Sequence, residues 1–203
     1  MTDEFLILHA LHVRGMATAE AIEEAWGVEG AADHLRRLVD CGACMYRDRP
    51  PAVGYVLLRP GRDRYGVISA ETRAALDPTS LSALAAVDER FTPLNGPFKA
   101  LCSRWQMRGS VSNDHSDAEY DESCIAELED THGRVMPLVT RAARAVPHFG
   151  RYGPRFRAAL ARLVEGDLDF FTSLWVSSYH TVWMELHADL MVTVGRERQA
   201  HEA

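Results

Sequence analysis

The stretch TAEAIEEAWGV, residues 18–28, decides how the first part of the chain is read. Thr18 stands directly before Ala19-Glu20-Ala21, with Ile22 and Ala25 behind it, so its hydroxyl is placed to cap the first amides of a short helix. Gly27 ends that helix. Working outward, a further helix is expected from 29 to 40, with Ala32, Leu35, Leu38 and Val39 as its apolar side and Gly42 as a left-handed stop. Upstream, Phe5, Leu8, Leu11 and His12 share one face of an earlier helix, interrupted at Gly15. Downstream, residues 43–49 and 54–59 read as two short strands around Pro50-Pro51, which keeps proline out of the paired region. Pro60-Gly61 closes the second strand, and residues 62–76 can continue as a helix.

The order helix, helix, helix, hairpin, helix resembles the winged helix-turn-helix of bacterial regulators, the MarR-like group in particular. The residues carrying the resemblance are TAEAIEEAWGV (18–28), HLRRLVDCGACMYRDR (34–49) and YVLLRPGRDRYG (55–66). In the last of these Arg59 stands where the group's Leu-Thr-x-x-Gly pattern has threonine. The resemblance covers about a third of the chain and implies a DNA-binding fold. Winged helices also serve as protein-docking modules, so the fold alone does not fix the function.

Asp77-Pro78-Thr79-Ser80 is the natural boundary, because proline breaks the preceding helix and a hydroxyl can cap the next. Domains are therefore expected at 1–78 and 79–203, and everything after the boundary reads as helical. One segment covers 81–90, a turn covers Thr92-Pro93-Leu94-Asn95-Gly96-Pro97, and a second helix covers 98–107. A polar loop over 109–113 leads to Ser116-Asp117-Ala118-Glu119, a capping box. In the helix it opens, Ile125, Leu128, His132, Val135, Val139 and Ala142 recur at steps of three and four. That seam suits a dimer surface or an internal core equally. Pro137 should kink the helix and Pro147 should end it. Residues 154–166 form another helix, and Ser177 or Ser178 caps a last one running to about Gly195. The fold class expected is mainly α, a winged helix followed by an all-α bundle.

Composition bounds the function classes. The 203 residues are 47% hydrophobic and 25% charged, which excludes a disordered chain and a disulfide-stapled miniprotein. No apolar run is long enough for a membrane span, and the acidic start does not read as a secretion signal, so a cytoplasmic protein with no membrane partner is expected. The net charge of −7 argues against coating nucleic acid by bulk electrostatics. Cys41 and Cys44 have CxxC spacing, but no second ligand pair accompanies them, and a structural pair is the simpler reading.

Two groups of residues could carry function. In the first part, Asp33, His34, Arg36 and Arg37 lie on the third helix, Arg47 and Arg49 near the hairpin tip, and Arg62 just beyond it. Arginine forks on a recognition helix reach guanine edges, and arginines on a wing suit phosphates or a narrow minor groove. Residues 1–78 carry 9 basic and 12 acidic groups, with acids gathered on the second helix at Glu20, Glu23 and Glu24. In the second part, Asn95, Trp105, His115, Trp175, Tyr179, His180, Trp183 and His187 could line a pocket for an aromatic or carboxylated ligand. On the last helix His180 and His187 are two turns apart, roughly 10 Å, too far for one metal ion. Glu185 and Asp189 fall on another face and are expected to be solvated. His115 lies between carboxylates, although helix capping already accounts for the acids there.

No GxGxxG, P-loop, HExxH or GxSxG is present. No cofactor, metal or catalytic residue is therefore assigned. The expected function is a one-component transcriptional regulator, binding double-stranded operator DNA as a homodimer and sensing a small molecule in the helical part. The alternative is a small-molecule-binding protein or enzyme of specialised metabolism whose winged helix is a docking or relic module. A pure protein adaptor would bind neither DNA nor ligand.

Overall fold

The computed structural model describes residues 2–50 and 52–196. The chain is mainly helical and forms two compact units, one up to Asp77 and one spanning Pro78–Val194; residues 195 and 196 group with the first. Among the described residues no helix is long and apolar enough to cross a membrane.

The first unit contains α1 (Asp3–Arg14), α2 (Ala19–Trp26), α3 (Ala31–Asp40), the strands β1 (Cys44–Arg49) and β2 (Ala52–Leu57), and α4 (Arg59–Ala74). Local chemistry explains the starts. Thr2 Oγ1 accepts from the Phe5 amide, and Thr18 Oγ1 accepts from the Ala21 amide. The third helix starts at Ala31 rather than 29, because the Glu23 carboxylate reaches forward to accept from the Ala31 amide. As a result Ala31 is buried and Ala32, expected inside, is exposed. Strands β1 and β2 pair antiparallel from Cys44↔Leu57 to Arg49↔Ala52. Ala17 adds a bridge to Tyr55.

Two glycines permit close backbone approaches. A Cβ at Gly54 would lie 2.9 Å from the Ala17 carbonyl oxygen, and one at Gly61 only 2.2 Å from that of Ala43. The second approach lets α4 begin at Arg59, three residues earlier than expected, with Pro60 in its first turn where no amide donor is needed. Phe5, Leu8, Leu11, Ile22, Trp26, Leu35 and Tyr65 fill the core.

The second unit contains α5 (Pro78–Gln106), β3 (Met107–Arg108), β4 (Val111–Ser112), α6 (Ala118–Ala145), a 3₁₀ turn (Pro147–Arg151), α7 (Tyr152–Val164), α8 (Asp169–Thr172) and α9 (Tyr179–Val194). The turn expected over 92–97 does not form: α5 runs unbroken through Pro93 and Pro97. Each proline inside a helix costs about 3 kcal/mol. Here both rings lie on the exposed side, where water can serve the carbonyls they leave without an amide. Continuity keeps Phe91, Leu94 and Phe98 together on the buried face, each contributing about 1.5–3 kcal/mol.

The segment expected as a loop over 109–113 is instead part of a short hairpin, Met107↔Ser112 and Arg108↔Val111, which turns the chain back so that α6 packs along α5. The cap of α6 is Asp117, whose carboxylate accepts from the Tyr120 amide; Ser116, the expected cap, bonds Asp114 instead. Helix α6 continues through Pro137. Leu128, Val135, Val139 and Ala142 of its seam are buried inside the unit, so most of this stripe is core, while Ile125 and His132 are partly exposed. Helix α7 begins at Tyr152, directly after the 3₁₀ turn, and Ser178 caps α9 through the Thr181 amide.

Candidate functional site

The second unit holds a cavity of about 410 Å³ at the end of α5. Trp105, Gln106 and His115 border it, together with Leu168, Asp169 and residues 172–175 around α8. His115 sits at φ +58, the left-handed region, and is the one non-glycine residue with positive φ among those described. A net of bonds holds it there. The Asn113 amide nitrogen donates to the Trp105 carbonyl at 3.0 Å and to Asp121 Oδ1 at 2.9 Å, and Asn113 Oδ1 accepts from the His115 backbone amide at 3.3 Å.

The imidazole's protonation follows from counting. His115 Nδ1 lies 2.9 Å from Asp121 Oδ2 and 3.2 Å from the Asn113 amide nitrogen. Both Asn113 amide protons already have acceptors, so the proton between His115 and Asp121 belongs to Nδ1, donating to the carboxylate. In the neutral ring Nε2 then carries the lone pair, and it bonds no described residue. Asp121 is buried while His115 is only partly so. The ring also leans on Trp105, with centroids 4.6 Å apart, and Trp105 stacks on Phe171 at 4.4 Å and 10°. The first wall of the cavity is therefore rigid. Opposite it, Leu174 and Trp175 are 68% and 65% exposed, apolar groups left facing water.

Of the eight residues expected to line a ligand pocket, Trp105, His115 and Trp175 meet here. The other five form a closed aromatic core between α5 and α9. Trp183 Nε1 donates to Asn95 Oδ1 at 3.1 Å, and both residues are buried. The Trp183 ring lies 4.1 Å from Phe98 and 4.7 Å from Phe91. Tyr179 packs on Phe98 and Phe156, and its hydroxyl is 3.2 Å from His132 Nδ1. His187 lies against Phe91, fully buried. His180 stacks on Phe98 and its pKa is lowered, by burial first and by Lys99 second.

Glu185 and Asp189 are not solvated. They are 2% and 0% exposed and form the polar centre of the unit. Arg155 reaches Glu185 through Nη1 to Oε2 at 2.7 Å and Nη2 to Oε1 at 3.0 Å, and Nη2 also bonds Ser177 Oγ. Asp189 accepts from His148 Nε2 at 3.0 Å, from the Tyr152 hydroxyl at 2.9 Å and from Thr193 Oγ1 at 3.1 Å. The Tyr152 hydroxyl is pushed far above the ordinary phenol range, by burial first and then by Asp189, so it stays a donor. The sequence did hold a signal: α9 is apolar or aromatic on nearly every other face, which leaves no side for solvent.

In the first unit, α3 turns Leu35 and Leu38 inward and leaves Asp33, Arg36, Arg37 and Asp40 exposed, with His34 intermediate. Arg36 Nη1 bonds Asp33 Oδ1 at 2.7 Å. Arg47 and Arg49 are exposed on β1, whereas Arg62 donates to the Leu57 carbonyl at 2.7 Å. His34 and Arg37 border a cleft of about 280 Å³ with Glu4 and Arg64. Cys41 is exposed and Cys44 buried; burial first, then Cys41, pushes the Cys44 thiol up to about 11. No family model, curated protein or solved structure matches the chain.

Proposed function

We propose that the chain is a one-component transcriptional regulator, with residues up to Asp77 acting as a winged helix-turn-helix and the helical unit binding a small-molecule effector. The observation that carries this reading is the division of α3. Ala31, Leu35 and Leu38 face inward, and Asp33, Arg36 and Arg37 stand exposed after the α2–α3 turn, followed by a hairpin that exposes Arg47 and Arg49. A helix so divided can enter a major groove while the hairpin arginines meet the flanking backbone. The acidic residues of α2 lie on a different element, which lets a locally basic edge exist on a chain of net charge −7. Operator binding is expected from a homodimer, with half-sites about 34 Å apart. An effector regulates to the extent that it binds one DNA-spacing state better than the other.

The test is a fluorescence-anisotropy titration against the protein's own upstream DNA at several salt concentrations. Binding that exceeds scrambled DNA and weakens as salt rises is the expected result. Equal binding to scrambled DNA, or undiminished binding by the Arg36→Ala, Arg37→Ala double variant, overturns the assignment of α3.

One observation favours a second reading. A histidine whose Nδ1 proton is held by a buried carboxylate, on a residue lining a cavity, is arranged as a general base. On that reading the helical unit is an enzyme or a ligand-sequestering protein, and the first unit docks a partner. Absence of DNA binding together with turnover lost in His115→Asn would favour it.

A further inference from the structure

The cavity at Trp105, His115 and Trp175 has a chemistry that narrows what it can hold. Its volume of about 410 Å³ suits a small organic molecule. Its polar groups are asymmetric. His115 Nε2 is an acceptor, because Asp121 fixes the proton on Nδ1. Asp169 borders the same cavity, is exposed, and forms no ion pair with any described residue. Among the described residues that border it there is no lysine or arginine. A carboxylate placed here would lose its hydration without gaining a cation and would meet Asp169 as a like charge. An ammonium would gain Asp169 and the exposed face of Trp175, which attracts cations. Leu174 and Trp175 offer exposed apolar surface that a flat ring can cover.

We propose that this cavity binds an aromatic amine, its ring against Trp175, its ammonium beside Asp169, and a ring O–H or N–H donating to His115 Nε2. The proposal rests on the helical unit being the ligand-binding half and names the class of ligand. It excludes the carboxylated ligands that the sequence alone left open.

The experiment is isothermal titration of the full chain with two matched pairs of probes, tyramine against 4-hydroxyphenylacetate and tryptamine against indole-3-acetate. Each pair shares a ring and a donor and differs in charge. Saturable binding of at least one amine below about 1 mM is expected, at least tenfold tighter than its matched acid. Two variants locate the site. His115→Asn removes the imidazole yet keeps a residue that tolerates the left-handed backbone, and Asp169→Asn removes the charge at an exposed position. Each should weaken amine binding about tenfold, and Asp169→Asn, at an exposed position, should do so with the urea midpoint unchanged. Equal binding of amine and acid, no saturable binding of either amine, or wild-type affinity in both variants overturns the proposal. The same preparation is titrated with upstream DNA. DNA binding without amine binding removes this inference and leaves the regulator reading standing, while amine binding without DNA binding does the reverse.

Discussion

The Arg155 guanidinium holds the Glu185 carboxylate at two points, 2.7 and 3.0 Å, although thirty positions separate the two residues in sequence. Their side chains are 11% and 2% exposed, so neither charge has water to fall back on. A buried pair of this kind contributes little over a well-packed apolar pair, but removing one partner strands the other. Glu185→Leu is therefore expected to lower unfolding free energy by about 3–5 kcal/mol. The double variant Arg155→Leu, Glu185→Leu should recover most of that loss. A urea-denaturation double-mutant cycle measures both, and additive losses in the double variant would contradict the stranded-charge argument.

Asn95 is a natural ligand candidate by its place between two prolines, yet its Oδ1 serves the Trp183 indole inside the core. Asn95→Leu should cost about 1–3 kcal/mol, because it leaves a buried N–H without its acceptor. It should leave amine affinity untouched. Trp183→Phe in the same background should soften the further loss. A change in ligand affinity with unaltered stability would return Asn95 to the ligand site.

What the sequence made legible was local. Thr18 and Gly27 bound α2 as expected, since a cap depends only on residues three or four positions away. The mainly helical chain and its first hairpin, β1–β2, were legible for the same reason, whereas the second, β3–β4, was not. Sequence and structure part where distant packing outweighs local preference. Pro93 and Pro97 favour a turn locally, but Phe91, Leu94 and Phe98 need one continuous face, and the face prevails. Glu185 and Asp189 read as solvated because their partners Arg155, His148 and Tyr152 lie 30 to 41 positions away, and no periodicity reports such pairs. In the candidate site, Trp105, His115 and Trp175 are legible by residue type, whereas Asn113 and Asp121, which orient His115, are hidden behind an ordinary helix cap.

Acid should destabilise the fold in two steps. His12, His132 and His180 all have pKa values lowered from 6.5, with burial the largest cause in each. The unfolded chain therefore binds protons that the folded chain refuses. The stability these groups contribute is full above pH 6.5 and is lost as pH falls through their folded values. Asp117, held low first by the Tyr120 amide, and Asp114, held low first by Ser116, add a second loss below the usual carboxylate value of 3.8. Urea midpoints should be flat from about pH 7 to 8 and fall below about 6.5. His132→Gln with His180→Phe should reduce the first step, and a midpoint that rises on acidification would reverse the sign of the argument.

Asp33 offers the sharpest probe of the α3 face. Its pair with Arg36 is 2.7 Å long, but the side chains are 67% and 68% exposed, so the pair contributes at most about 1 kcal/mol to folding. Near a DNA backbone the balance changes, because phosphate competes for Arg36 and repels Asp33. Asp33→Ala should leave the unfolding free energy within about 0.5 kcal/mol of wild type. It should also tighten binding to scrambled DNA about two- to fivefold, up to the same 1 kcal/mol. Removing Arg36 and Arg37 together should instead weaken binding and reduce the dependence on salt by about one unit of slope for each phosphate no longer neutralised. Asp33 could alternatively accept from a cytosine amino group, in which case Asp33→Ala weakens operator binding alone. Anisotropy on both DNAs separates the two roles, and weaker binding of Asp33→Ala to scrambled DNA would remove α3 from the DNA face.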